Sequence, residues 1–298
     1  MNYAGWLRVR NCLRVCGIVA AIIAVLAIGA RVYLATNEVE LDHGHGQVGI
    51  HSRGPAVIVD SNHAGTAMPN PAPHRSTKLG YYANEPFVMD IATPLALGVL
   101  FAWVVATILG GPLARENDGH LEIAWTKPAS RTAYALSVMA VDAVGILAAL
   151  AIGTALAVVL ILLFAIPQPV IMANTFPAIA VAILAGLAWY AMCAAFTASL
   201  KRNWRAIPGL AWPAAFILLS VALVGAAVDS NPVLKGIHVL ITVVNYFNPL
   251  LYSLISNEDG VTRVPAPLGS PILSAVALMA LIAIYVGASL VQWRRVEA

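Results

Sequence analysis

Long apolar runs separated by short polar or basic segments dominate this chain. A helix needs roughly 20 apolar residues to cross about 30 Å of hydrocarbon, because lipid offers no partner to unpaired backbone groups. Six runs fit that length: residues 15–34, 91–111, 133–166, 176–200, 207–228 and 270–293. The first follows Arg8, Arg10 and Arg14 with no small-residue cleavage site behind a short apolar core, so it reads as a retained anchor. The third is overlong: at 1.5 Å per residue it extends roughly 50 Å, and its first turns are expected to project beyond the bilayer. Pro167 and Pro169 stop it, since proline lacks the amide donor and clashes with the preceding turn.

The segments between the runs differ in character. Residues 35–90 are rich in Gly, Pro, His and Asn and hold only short β-like stretches, at 47–50 and 56–60, which predicts a small, partly irregular outer cap. Residues 229–269 contain the apolar stretch 233–256, interrupted by Lys235, Gly236, His238, Asn245, Asn248 and Pro249. A crossing and return would need two full spans. The interruptions instead predict a re-entrant or interfacial helix pair bent near Asn245-Tyr246-Phe247-Asn248-Pro249, with Tyr246, Phe247 and Tyr252 suited to an interfacial aromatic belt.

Composition sharpens the class. The chain is 60% hydrophobic and 10% charged, with a mean hydropathy of +0.82, far from soluble averages of about a quarter charged. An all-α polytopic membrane protein is the predicted fold. Its orientation follows the distribution of Lys and Arg. With six spans both termini share a side, and that side holds 11 of the 17 basic residues, among them Lys201, Arg202 and Arg205 between the fourth and fifth spans. Both termini are therefore expected in the cytoplasm, the net charge of +3 is this topological bias, and no nucleic-acid signature accompanies it. Cys12, Cys16 and Cys193 imply no disulfide framework; Cys12 and Cys16 read as small buried thiols.

The segment 112–132 is charged, helix-capable and wedged between two apolar spans. Pro112 suits a first helical position, Glu116 and Asp118 are expected near the positive end of a short helix, and Gly119 can break it. A following turn presents Leu121, Ala124 and Trp125 on one side, with Arg115, Glu116 and Glu122 as rim charges around an anchor for a partner's groove. The bland alternative is a headgroup-level Trp125 among solvated charges.

Taken together, six spans with both ends inside, a basic amphipathic segment over 1–14, the 112–132 loop and the hydrophobic hairpin between spans five and six resemble the permease subunits of type-2 ATP-binding-cassette transporters over essentially the whole chain. The sharpest local similarity is Arg115-Glu116, Gly119, Leu121-Glu122 and then Lys127-Pro128-Ala129-Ser130-Arg131 leading into span three. The resemblance implies that this loop forms a coupling helix docked on a separate cytoplasmic ATPase. It also implies that a second permease copy or homologue completes the transporter, that ATP is bound by the partner and no cofactor by this chain, and that the protein sits with membrane lipid in a bacterial inner (plasma) membrane. Export is the family expectation. The Ala-, Val-, Leu- and Ile-rich spans favour an amphipathic or hydrophobic cargo, whose identity stays open.

Other constellations weigh less. His43, His45, His51, His63 and His74 with Asp42 and Asp60 lack an established ligand spacing, so no metal site is assigned. Asp142 reads as interfacial or structural in preference to a proton relay; Asp90 and Asp229 read as outer span boundaries. No phosphate-binding loop or nucleophile elbow is present, so the chain is not expected to be an enzyme itself. Two alternatives remain: a membrane-embedded metal-dependent enzyme using the histidine-rich loop, and a non-transporting anchor for a cytoplasmic partner. Small-residue patches at Gly145, Ala149 and Gly153, and at Ala178, Ala182 and Gly186, permit close helix packing within one subunit or between two.

Overall fold

A computed structural model describes residues 3–36, 40–42, 49–51, 87–117, 130–164, 167–200, 204–223, 232–258 and 261–296. The helices, in chain order, are α1 (Tyr3–Thr36), α2 (Leu95–Leu109), α3 (Pro112–Asn117), α4 (Arg131–Phe164), α5 (Thr175–Thr197), α6 (Ala206–Leu223), α7 (Pro232–Asn245), α8 (Leu250–Ser253) and α9 (Pro271–Val296). Among the described residues, β1 (Glu40–Asp42) pairs with β2 (Gly49–His51), β3 (Phe87–Asp90) with β4 (Pro167–Val170), and β5 (Ser256–Glu258) with β6 (Val261–Arg263).

Among the described residues five helices are long and apolar enough to cross a membrane: α1, α2 continued into α3, α4, α5 and α9. The run expected as a fifth crossing over 207–228 appears as the shorter apolar helix α6, with residues 224–228 outside the described part. The basic segment 3–14 and the span 15–34 form one continuous helix of 34 residues, so the N-terminal amphipathic stretch is not a separate element. Its first turns are fixed against α4, where Arg8 pairs with Asp142, and that contact favours continuation over a break.

α5 is the centre of the bundle. It packs against α2 on one side and α9 on the other, while α2 also packs on α4 and α4 carries α1 at the periphery. Close approach comes from small side chains. An added Cβ at Gly153 would lie 2.9 Å from the Cα of Gly98, so α2 and α4 cross nearly backbone to backbone. Without a strong hydrophobic driving force between helices in lipid, such van der Waals contact supplies much of the association. The patches flagged in sequence are used inside the subunit: Gly145 receives Val9 of α1, and Ala178, Ala182, Ala149 and Gly186 are buried.

The two ends of the bundle are distinguished by their contacts. At one, Arg294 near the end of α9 donates to the Thr132 hydroxyl at the start of α4 (Nη2 to Oγ1, 2.9 Å), and Thr197 at the end of α5 donates to the Gly110 carbonyl after α2. At the other, β3 and β4 pair in parallel, and Asn174 donates to the Thr262 carbonyl of β6. The parallel pair joins segments about 80 residues apart in sequence and was not foreseen. The β5–β6 hairpin did carry a signal, since Asp259-Gly260 is the residue pair between its strands.

Between α6 and α9 the chain makes a helix pair broken at 246–249. α7 has a polar stripe of Lys235, His238, Thr242 and Asn245 and an apolar stripe of Val233, Ile237, Leu240 and Val244. The apolar stripe is exposed, at 44% to 67%, while along the polar stripe Asn245 is 1% exposed, His238 and Thr242 are half-buried and Lys235 at the first turn is exposed. That is the reverse of a helix in water and the arrangement expected where lipid is the surrounding solvent. Asn248 closes the break: its amide donates to the Ala215 carbonyl of α6 (3.0 Å) and to the Asn245 side chain (2.9 Å), and its oxygen accepts from the Leu250 N–H. Tyr285 of α9 donates to the Phe247 carbonyl (2.5 Å). Tyr285 stands 14 residues into α9, about 20 Å along the helix, and Ala215 is midway along α6, so the break is seated at depth.

Candidate functional site

The segment 112–132 begins as a tight continuation of α2. The Gly110 N–H returns to the Thr107 carbonyl, Gly111 lies under the Trp204 indole where any side chain would collide, and Pro112 opens α3. Proline fits there because the first helical N–H has no intrahelical acceptor to lose. Leu113 and Ala114 are fully buried, and α3 rests on α4 and α5. The start of the candidate coupling element is thus built into the bundle.

One expectation is corrected. Glu116 is the fifth residue of the six-residue α3, in its last turn, and no acid occupies the first turn. It therefore does not complement the positive helix end; the buried Pro112-Leu113-Ala114 turn, which has no room for a solvated acid, occupies that place. Arg115 and Glu116 belong to α3 by backbone, whereas Gly119, Leu121, Glu122, Trp125, Lys127 and Pro128 lie outside the described residues, as does Asp118. Ser130 has a local role: its hydroxyl accepts the Ala133 N–H at 3.2 Å, capping α4, of which Arg131 is the first residue. Next to it, Arg294 holds Thr132. The described edges of the segment therefore grip four helices: α2, α4, α5 and α9.

Two groups that sequence reading undervalued sit behind this edge. Asp142 is fully buried on α4; Arg8 of α1 donates to its Oδ1, and the Tyr190 phenol of α5 donates to its Oδ2 at 2.9 Å. Of the structural and interfacial roles expected for this acid, the contacts show the structural one: it is the node joining three helices. Sequence hydropathy could not find this, because the partners are 134 and 48 positions away. Thr107 is the second node. Its hydroxyl accepts the indole N–H groups of Trp189 and Trp212, each at 2.8 Å, and donates to the Trp103 carbonyl at 2.8 Å. A hydroxyl offers one donor and two acceptor sites, so this one is saturated. Trp212 also stacks on Phe216 and meets the edge of Trp103, tying α6 to α2 and α5.

At the opposite end Asp90 is also fully buried; its Oδ1 accepts from Thr175 Oγ1 (2.5 Å) and the Ala92 N–H (3.1 Å). Of the outer-loop histidines, His51 contributes backbone to β2, and His43, His45, His63 and His74 lie outside the described residues. No cluster of His, Cys, Asp and Glu suited to a metal occurs among the described residues, and Cys12, Cys16 and Cys193 form no disulfide. No family model, curated protein or solved structure matches the chain.

Proposed function

We propose that this chain is the membrane-spanning permease subunit of an ATP-driven transporter, an exporter of an amphipathic or hydrophobic substrate powered by a separate nucleotide-binding ATPase. In this reading α6 and the residues after it complete a sixth crossing, both termini face the cytoplasm, and α7–α8 is a re-entrant pair in the outer half of the membrane. The observation that carries it is the way the edges of the 112–132 segment are built into α2, α4, α5 and α9, with Leu113 and Ala114 fully buried. A force applied at the described edges of that segment would pass directly into these helices, and the 34-residue α4 is a lever about 50 Å long. The inside-out α7, with its apolar stripe exposed, supports the membrane setting of the broken pair. ATPase closure would press on residues 115–131, and two permease copies would share a path between them.

Purification of the tagged protein from its native membrane in mild detergent, followed by identification of its companions and an ATPase assay, tests the proposal. A stoichiometric ATPase is expected, and Glu116→Lys with Glu122→Lys and Trp125→Ala should abolish its retention and substrate-stimulated turnover. An unaltered complex and transport rate in that triple variant would sink the coupling assignment. A lone, metal-loaded protein would favour the membrane enzyme, and a bound ATPase whose turnover ignores this chain would favour the anchor.

A further inference from the structure

Asp90 is a buried acid that, unlike Asp142, has no arginine. It lies fully buried at the end of β3, in the turn that leads into α2, and enters no ion pair among the described residues. Its two oxygens are treated unequally. Oδ1 accepts from Thr175 Oγ1 and the Ala92 N–H, whereas Oδ2 is buried with no hydrogen-bond partner. A carboxylate out of water is costly unless it is paired or coordinates a cation, so the orphan oxygen calls for a partner of its own.

Hydroxyl oxygens gather at the same corner from three segments: Thr93 in the turn after β3, Thr175 at the start of α5 and Thr262 in β6. Thr175 and Thr262 are fully buried, while Thr93 is half-buried and leaves an approach from outside. The Thr93 N–H donates to the Asp90 carbonyl, and Asn174, next to Thr175, donates to the Thr262 carbonyl at 3.3 Å, which holds the segments together. Arg263, the next residue of β6, is exposed on the strand's other face. The Thr93 and Thr262 hydroxyl oxygens stand 3.4 Å apart, beyond the about 2.7–2.8 Å of a good O–H···O bond. That is the spacing of two oxygens at right angles around one cation, since metal–oxygen bonds of about 2.3–2.6 Å put them about 3.3–3.7 Å apart.

The donor set fixes the kind of ion. Oxygen ligands without His or Cys suit a hard cation. A single carboxylate, already facing the positive starts of α2 and α5, has no charge to spare for a divalent one. We propose that this corner binds one Na⁺, with Asp90 Oδ2 as the charged ligand and the Thr93 and Thr262 hydroxyls as neutral ones. The ion braces β3 and the start of α2 against β6, at the end of the bundle away from the 112–132 segment. The site therefore depends on neither the transporter reading nor its ATPase.

The test uses the full chain purified in mild detergent, radioactive Na⁺ in a scintillation-proximity binding assay, and choline chloride to hold ionic strength constant. Expected are saturable binding of one ion per chain, displaced by unlabelled Na⁺ and only weakly by K⁺, whose bonds to oxygen are longer, and a rise in Tm of about 3 °C from choline to saturating Na⁺. Asp90→Asn should abolish both. Thr262→Val keeps the side chain's shape and removes one neutral ligand, so it should weaken binding about tenfold with an unchanged elution profile; it decides the matter should Asp90→Asn fail to fold. Retained binding in Asp90→Asn, unchanged affinity in Thr262→Val or equal displacement by K⁺ would overturn the proposal. So would the absence of saturable binding, which would leave a buried water as the partner of Oδ2. No readout involves an ATPase, so failure here is separable from failure of the transporter assignment.

Discussion

α1 and α5 are alike in sequence and opposite in structure. Their most apolar stretches have mean hydropathies of 2.5 and 2.1, yet 17% of that stretch is buried in α1 against 67% in α5. Along its middle α1 carries the bulky, exposed Ile18, Ile22, Val25 and Leu26, whereas α5 presents Ala178, Ala182, Ala185 and Gly186. Lipid is as apolar as leucine, so hydropathy says only that both helices belong in the membrane. Side-chain size decides which of them lets neighbours come close. α1 is held largely by its first turns, where Val9 enters the space above Gly145 and Arg8 meets Asp142.

The change expected to break this arrangement most strongly is Asp142→Ala. It leaves Arg8 without its carboxylate, and removal of one partner from a buried pair costs about 3–5 kcal/mol. Thermal unfolding in detergent should show the loss. Maleimide labelling of Cys16, 7% exposed on α1, should rise while Cys193 on α5 stays protected; equal protection of both would show that α1 does not depend on the pair. Next comes Gly186→Leu, which drives side-chain atoms into Ile146 and Ala102, whose nearest atoms lie 2.7 and 2.8 Å from an added Cβ. Overpacking there should destabilise by about 3 kcal/mol.

Thr107→Val tests how α6 is tied to the α2–α5 core. The indoles of Trp189 and Trp212 lose their common acceptor, which should cost about 2 kcal/mol and alter tryptophan fluorescence. The smallest effect belongs to α1 again. An added Cβ at Gly17 meets nothing within 4 Å, so Gly17→Leu should destabilise by no more than about 0.5 kcal/mol. A large loss at Gly17 would mean that a partner covers this face, and α1 would no longer contrast with α5.

Much of the fold was legible because long apolar runs have few alternatives in a membrane. Pro167 ends the run before it, Pro112 opens α3, and the polar interruptions over 245–249 coincide with the broken helix. The candidate site was legible as a segment but not as an assembly. Glu116 was expected at the positive end of its helix and lies at the other end, because burial of Leu113 and Ala114 fixes which turn comes first. Asp142 read as structural or interfacial, but its partners were not legible, because Arg8 and Tyr190, which complete it, come from two other helices.

The sequence by itself determined that the chain is built of apolar helices, where most of them run and where they stop, since those follow from hydrophobic length and from proline. Tertiary structure alone decided which helix became the centre, which acid gained an arginine, which hydroxyl gathered the tryptophans and which way α7 turned its polar stripe. In helices that are apolar all round, no face is marked in advance for burial; packing of small residues and the pairing of a few scattered polar groups choose it.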